Sequence, residues 1–138
     1  MELIIDANVL ISALISPEGK TREIIFAYDI KFYAPEFLFT EIEEHKEEIL
    51  KKSRLSDDEF GLALNLLKTR IILVPFTDFR KFISRAIRAS PDVDDIEYFA
   101  LALSEDIIIW TDDKDLKKQT KVKIISTTEL IAKFDQIN

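Results

Sequence analysis

The amino-acid sequence predicts a three-layer α/β fold, with a central parallel sheet of about five strands and helices on both of its faces. Two observations carry this. Short runs such as Leu3-Ile4-Ile5, Ile71-Ile72-Leu73-Val74 and Ile107-Ile108-Ile109-Trp110 are apolar at every position. A strand with one solvated face alternates, whereas a strand covered on both faces reads as a continuous apolar run. Between these runs lie longer segments with helical patterning, and strands that alternate with helices build a parallel sheet with right-handed crossovers.

Leu3-Ile4-Ile5 is the first strand and ends in Asp6. A helix follows from about Asn8, apolar at Val9, Leu10, Ile11, Ala13 and Leu14, until Pro17-Glu18-Gly19 breaks it. A second helix covers about Lys20 to Tyr28, and Lys31-Phe32-Tyr33-Ala34 is the next strand. Pro35 suits a helix start. The helix expected from it runs to about Lys52, with Leu38, Ile42, His45 and Ile49 on one stripe. Ser56-Asp57-Asp58-Glu59 is a capping box opening a helix to about Arg70. Ile71 to Val74 reads as a buried strand stopped by Pro75. Asp78 to about Ala89 is a basic helix, and Ser90-Pro91-Asp92 starts another, to about Leu103, that is apolar on most sides. Ile107 to Trp110 is a central strand and Lys123-Ile124-Ile125 the last one. Ser126-Thr127-Thr128-Glu129 caps the final helix.

The 138 residues suit a single domain, 1–138, with no linker, repeat or low-complexity segment. With 47% apolar and 33% charged residues the chain reads as soluble and globular. It contains no cysteine, and its only histidine is His45. Thiolate and multi-histidine metal sites are thereby excluded, and any metal must take oxygen ligands, which points to Mg²⁺ or Mn²⁺. The opening residues carry no basic leader pattern, and no apolar run approaches the roughly 20 residues of a membrane span, so a cytoplasmic protein without a membrane partner is expected. Abundant Ile, Glu and Lys with scarce Asn, Gln and Met suit a thermophile. The net charge of −7 weighs against nucleic-acid binding unless the basic residues are gathered locally.

Ligand sites in open parallel sheets lie beyond the carboxyl ends of the strands. Asp6 ends the first strand, and Asp112 and Asp113 follow the strand that ends at Trp110. Asp92, Asp94 and Asp95 open the helix leading into that strand, and Glu41 stands early in another helix. Taken singly, each acid has a plain structural explanation as a helix cap or a complement to the helix dipole. Taken together, carboxylates at one sheet edge repel one another and raise each other's pKa, a cost that a cation removes. Oxygen-only clusters suit Mg²⁺ or Mn²⁺ ions that activate water and stabilise a phosphate leaving oxygen.

These acids stand in four motifs that resemble those of the PIN-domain family of ribonucleases, over nearly the whole chain. Ile4-Ile5-Asp6-Ala7-Asn8-Val9-Leu10-Ile11 resembles the first and Pro35-Glu36-Phe37-Leu38-Phe39-Thr40-Glu41-Ile42 the second. Asp94-Asp95-Ile96-Glu97-Tyr98-Phe99-Ala100-Leu101-Ala102 resembles the third, and Ile109-Trp110-Thr111-Asp112-Asp113-Lys114-Asp115-Leu116, a Thr-x-Asp pattern, the fourth. The resemblance implies a PIN-like parallel sheet and a metal-dependent endoribonuclease acting on single-stranded RNA. It makes Asp6, Glu41, Asp95 and Asp113 the catalytic metal ligands. Asp94 is the alternative to Asp95, which the spacing forward to Thr111 favours, and Asp115 could replace or assist Asp113. Asn8 and Ser12, one helical turn apart, and Thr111 are placed to support the ligands from behind. VapC-like toxins of this kind are held inactive by a small antitoxin, so an antitoxin protein is an implied partner, although a stand-alone RNA-processing nuclease fits equally. PIN-like domains often pair, which leaves a homo-oligomer open.

Arg80, Ser84 and Arg88 fall at i, i+4 and i+8 of the basic helix, beside Lys81 and Arg85. Lys114, Lys117, Lys118, Lys121 and Lys123 follow the fourth motif. Arg80, Arg88 and Lys114 are the expected RNA-phosphate contacts, against the plain alternative of solvated helix faces. His45 is expected to be packed or partly exposed rather than a catalytic base, and Trp110 to lie in the core. A non-catalytic PIN-like scaffold that binds RNA or protein is the competing function, and the presence of all four acids counts against it. A response-regulator-like receiver is disfavoured because Ile71 to Val74 ends in Pro75 with no acceptor acid. An Asp-x-Asp phosphatase is disfavoured because Asp6-Ala7-Asn8 lacks the second acid.

Overall fold

The computed structural model describes residues 1–137; Asn138, the last residue of the expected domain, lies outside the described residues. Five strands, β1 (Glu2–Ile5), β2 (Lys31–Pro35), β3 (Ile71–Val74), β4 (Ile108–Trp110) and β5 (Ile124–Ile125), form one sheet in the order β3-β2-β1-β4-β5. Every pairing is parallel. The central strand β1 carries Leu3, Ile4 and Ile5, none of them accessible to solvent. The chain leaves β1 towards β2 and β3, then returns to the other side of β1 to form β4 and β5. Connections therefore diverge between β1 and β4, and the carboxyl ends of those two strands bound a crevice.

Helices cover both faces. In the first half are α1 (Ala7–Ile15), α2 (Lys20–Ala27), α3 (Leu38–Glu44), α4 (Lys46–Ser53) and α5 (Asp57–Lys68), with α1 packed against the other four. Next come α6 (Phe76–Phe79), α7 (Ile83–Ala89) and α8 (Ile96–Glu105), which pack together, with α8 lying over β2 and β4. The β3-to-β4 crossover runs back across the sheet, and a right-handed crossover in the reverse direction places its helices on the opposite face. The last helix, α9 (Thr127–Ile137), is tied to the end of α2 by Phe134, whose ring stacks on Tyr28 at 4.3 Å.

Local chemistry agrees with most of the expected elements. The Ser56–Glu59 capping box forms, with Ser56 Oγ accepting from the Glu59 amide at 3.1 Å and Glu59 Oε1 from the Ser56 amide at 3.0 Å. Ser126 and Glu129 repeat the arrangement at the start of α9. Residues Tyr98 to Ala102 of α8 are buried without a break, as its nearly uniform apolarity requires. Trp110 is fully buried beside Phe32, and its indole N–H donates to Thr127 Oγ1 at 2.9 Å.

Other boundaries differ for identifiable reasons. Pro35 closes β2 opposite Val74 instead of starting a helix, and the next amide, that of Glu36, donates to the Val74 carbonyl at 3.0 Å. A proline at the end of a ladder forfeits no bond that its neighbour cannot make. The helix expected through Lys52 is interrupted at His45, where α3 ends and α4 begins, and both halves pack on α1. The expected helix from Asp78 starts at Phe76 and passes through a 3₁₀ turn, Arg80–Phe82, before α7. With three residues per turn instead of 3.6, that turn resets the helical phase. The β3 strand, expected to be buried, is an edge strand whose Ile72 and Leu73 are exposed.

Arg70, just beyond α5, ties the two ends of the first half together. Its Nε donates to the Ile25 carbonyl at 2.9 Å, and Nη2 reaches the Tyr28 and Ile30 carbonyls at 3.4 Å. These carbonyls end α2 and lead into β2, where intrahelical donors have run out. Replacing Arg70 by Met keeps the apolar stem and removes the donors, which should lower stability by about 2 kcal/mol in urea unfolding with an unchanged m-value. Unaltered stability would mean that water serves these carbonyls equally well.

Candidate active site

Asp6 follows directly from β1, and the parallel pairing of Ile5 with Trp110 brings the residue after β4 alongside it. The consequence is a buried hydrogen bond in which Thr111 Oγ1 donates to Asp6 Oδ2 at 2.7 Å. The same hydroxyl oxygen accepts from the Asp113 amide at 3.1 Å. Thr111 thus holds the Asp6 carboxylate and bends the chain so that Asp113 faces the same crevice. Asp113 Oδ1 in turn accepts from the Asp115 amide and opens a 3₁₀ turn, Lys114–Lys118.

The crevice has a volume of about 690 Å³, and eight of its fourteen lining residues are Asp or Glu; none is Lys or Arg. Asp6 and Asp113 form one wall. Glu41, from the first turn of α3, and Glu44 approach from a second side, and Asp92, Asp94, Asp95 and Glu97 from the entry to α8. Asp92 is partly occupied as a cap, since its Oδ1 accepts from the Asp94 amide at 3.0 Å. That bond draws Val93–Asp95 into a 3₁₀ turn, so α8 begins at Ile96 rather than at Asp92.

Electrostatics record the crowding. Glu41 is pushed up to about 7, first by burial and then by the charges of Asp6, Glu44, Asp94 and Glu97. Asp95 is likewise pushed up to about 7, by burial first and then by Asp6, Asp92, Asp113 and Asp94. Burial also raises Asp6, although the Thr111 hydroxyl and the Asn8 and Ala7 amides pull it back. Among the described residues no three Asp, Glu or His side chains form a ready-made metal cage. The eight carboxylates, partly buried, nevertheless offer hard oxygen donors of the kind a divalent cation requires. Asp6, Glu41, Asp95 and Asp113, the four acids expected from the motifs, all line the crevice.

The remaining expected residues divide. Asp94 shares the crevice with Asp95 but is the more exposed of the two. Asp115 lies outside it, paired with Lys118 at 2.9 Å. Asn8 lines both the crevice and a smaller adjoining groove, whereas Ser12 faces only the groove, with Val9, Asp112 and Asp113. Asp112 turns to α9, accepting from the amide and hydroxyl of Thr127, each at 2.7 Å. Lys114 is exposed and does not line the crevice. The phase shift before α7 leaves Arg80 apart from Arg88, which instead joins Arg85 and Lys121 in a basic pocket of about 470 Å³ with no acid in its lining. Sequence reasoning missed Glu44, Glu97 and Tyr98, and it missed that His45 lines the crevice. For Tyr98 the signal was available, because it follows Asp95 by three residues, one helical turn.

Fold and crevice together define a doubly wound α/β domain with a carboxylate-rich site where its connections diverge. The sequence matches the PIN domain over residues 4–134, and the chain belongs to the PIN-domain family, whose members are generally nucleases. Among solved structures, VapBC2 from Rickettsia felis, determined bound to a DNA fragment from their promoter, matches with a TM-score of 0.66 at 11% identity. The match covers 91% of this chain and 98% of that one and concerns the fold. No match is found among curated proteins.

Two measurements test the site. In the unfolded chain Glu41 and Asp95 titrate near their ordinary values of 4.5 and 3.8, and in the folded protein near 7. Across that window the unfolded state releases protons that the folded state keeps, so stability falls as pH rises and stays lower above it. The metal-free protein should melt higher at pH 5 than at pH 8, and Glu41→Gln or Asp95→Asn should reduce the difference. A melting curve insensitive to both changes would contradict the crowding. Asp112→Ala, by contrast, should cost about 1–2 kcal/mol through loss of its two bonds to Thr127 at the start of α9, while leaving Mn²⁺ affinity in calorimetric titration unchanged.

Proposed function

We propose that this protein is a Mg²⁺- or Mn²⁺-dependent endoribonuclease that hydrolyses phosphodiester bonds of single-stranded RNA. The observation that carries the reading is the crevice lined by eight carboxylates with neither Lys nor Arg in its lining and His45 as its one nitrogen base. Such a cluster destabilises the fold unless a cation offsets it. Bound there, the ion would activate water and stabilise charge on the phosphate and the leaving oxygen. Asp6, held by Thr111, is the firmest ligand. Glu41 and Asp95, half-buried on the facing sides, and Asp113, set by the Thr111 turn, complete the set. Asp94, Asn8 and Ser12 flank these ligands, and Asp115 steadies the turn that carries Asp113.

The basic pocket of Arg85, Arg88 and Lys121 supports a path for the RNA backbone. In a chain of net charge −7, three cations gathered without an acid in the lining suit an anion. Arg80 and Lys114 are exposed and would add contacts outside that pocket. We extend the reading to a cytoplasmic toxin of a toxin–antitoxin pair, since the structural match is to a VapBC2 assembly and an acidic crevice suits a basic antitoxin segment. The exposed Leu62 and Leu66 of α5 and Ile72 and Leu73 of β3 support a homo-oligomer. No helix among the described residues is long and apolar enough to cross a membrane.

A non-catalytic scaffold that binds RNA or protein is favoured by one feature, the lack of a preformed three-ligand cage among the described residues. One experiment separates the readings. Labelled single-stranded RNA incubated with the protein and Mn²⁺ or Mg²⁺ should be cut, EDTA should abolish cutting, and Asp6→Asn should slow it at least about 100-fold, the upper end of what changes behind a metal ligand cost. Cutting that survives both controls sinks the mechanism, and the absence of both cutting and metal binding favours the scaffold. For RNA binding, replacing Arg85 and Arg88 by Ala should reduce the slope of log affinity against log salt by about 1.4. An unchanged slope removes the pocket from the RNA path.

A further inference from the structure

Tyr98 has no part in the chemistry above, yet among the described residues its hydroxyl is a buried polar atom without an acceptor, and the charges of the crevice acids act on it. It lies on α8 three residues beyond Asp95 and is 2% exposed. Its ring meets Phe37 edge-on at 5.7 Å, and Phe37 lines the crevice. The hydroxyl donates no hydrogen bond. The Ala7 amide lies beside the oxygen, but an amide can only donate, so the hydroxyl proton is without an acceptor. The charges that act on it are those of Glu41, then Asp6 and Asp95, and with burial they push its ionisation well above the usual range. Tyr98 is therefore a hydrogen-bond donor at any working pH.

A buried hydroxyl left unpaired costs about 1–3 kcal/mol, and phenylalanine would fill the same space without that cost. The structure holds a precedent for what such a hydroxyl does, since Thr111 donates to one carboxylate oxygen of Asp6, which lines the crevice. We propose that Tyr98 is a positioning residue that donates its hydroxyl proton to Glu41 when a divalent cation is bound, fixing the carboxylate so that its second oxygen faces the ion. Asp6 is already held by Thr111 from the β4 side, and Tyr98 supplies the matching support from α8. Groups standing behind a ligand in this way raise its basicity and lock its orientation. The inference rests on the metal-site reading and deepens it.

The test compares Tyr98→Phe with the unaltered protein by two measurements that do not depend on RNA cleavage. Unfolding of the metal-free protein should be unchanged or shifted to higher temperature, because the variant loses an unpaired donor and keeps the ring. Calorimetric titration with Mn²⁺ should show affinity weakened by about 10–100-fold. In Glu41→Gln, adding Tyr98→Phe should weaken Mn²⁺ binding by far less than it does alone, since the two residues act as one unit. Equal Mn²⁺ affinity in Tyr98→Phe overturns the inference and leaves the metal site standing. A fall in metal-free stability assigns the hydroxyl a structural role and overturns it too, and fully additive effects exclude Glu41 as the acceptor. Absence of Mn²⁺ binding by the unaltered protein overturns the metal-site reading and this inference with it.

Discussion

The hydrogen bond from Thr111 to Asp6 is where the architecture of the sheet becomes the geometry of the site. It joins residues 105 positions apart, at the carboxyl ends of two adjacent parallel strands. It requires the register in which Ile5 stands opposite Trp110, and that register requires two continuous apolar strands packed on both faces. A one-residue slip would turn every side chain of β4 to the other face and carry Thr111 away from Asp6. Asp113 depends on the same threonine through its amide. The α9 cap depends on the residue between them, Asp112, which the turn directs the other way. One short turn therefore sends alternate acids to different tasks, one into the crevice and one into the fold.

Charge is partitioned with similar economy. The crevice gathers acids from β1, α3, the entry to α8 and the turn after β4, while cations from α7 and from the segment before β5 meet in a separate pocket. Neither group neutralises itself. Ion pairs do occur in this protein, but they lie on the surface, as between Lys46 and Asp57 or Lys118 and Asp115. Exposed pairs of this kind contribute little to stability. A crevice without Lys or Arg costs stability, and Glu41 and Asp95 accordingly hold their protons to higher pH than free carboxyls do. That cost is tolerable in a domain whose core runs unbroken from Leu3 to Leu130.

How much of this was legible in the sequence follows from the range of the forces involved. Strands covered on both faces declare themselves as apolar runs, and capping boxes are written in four adjacent residues. Both were readable because the interactions behind them span a few positions. Asp6 and Asp113 were readable as acids at strand ends, and their motif context added Glu41 and Asp95. The choice of Asp113 over Asp115 as the acid that lines the crevice was not, since it depends on which carboxylate the Thr111 turn directs inward. Nor was the exposure of β3, because a run such as Ile71 to Val74 reads the same at the centre of a sheet and at its edge. That Arg88 lines the basic pocket without Arg80 was not readable either, because a 3₁₀ turn between them changes the helical phase.

The sequence by itself thus determined the class of fold, the alternation of strands and helices, and the acids that end them. Only the tertiary structure decided which acids face one another and which serve as caps. It also showed that a histidine read as part of an apolar stripe lines the crevice, and that a tyrosine hydroxyl on α8 lies buried without an acceptor. The physical reason is that burial and Coulomb interaction depend on distances between residues far apart in the chain, and only packing sets those distances.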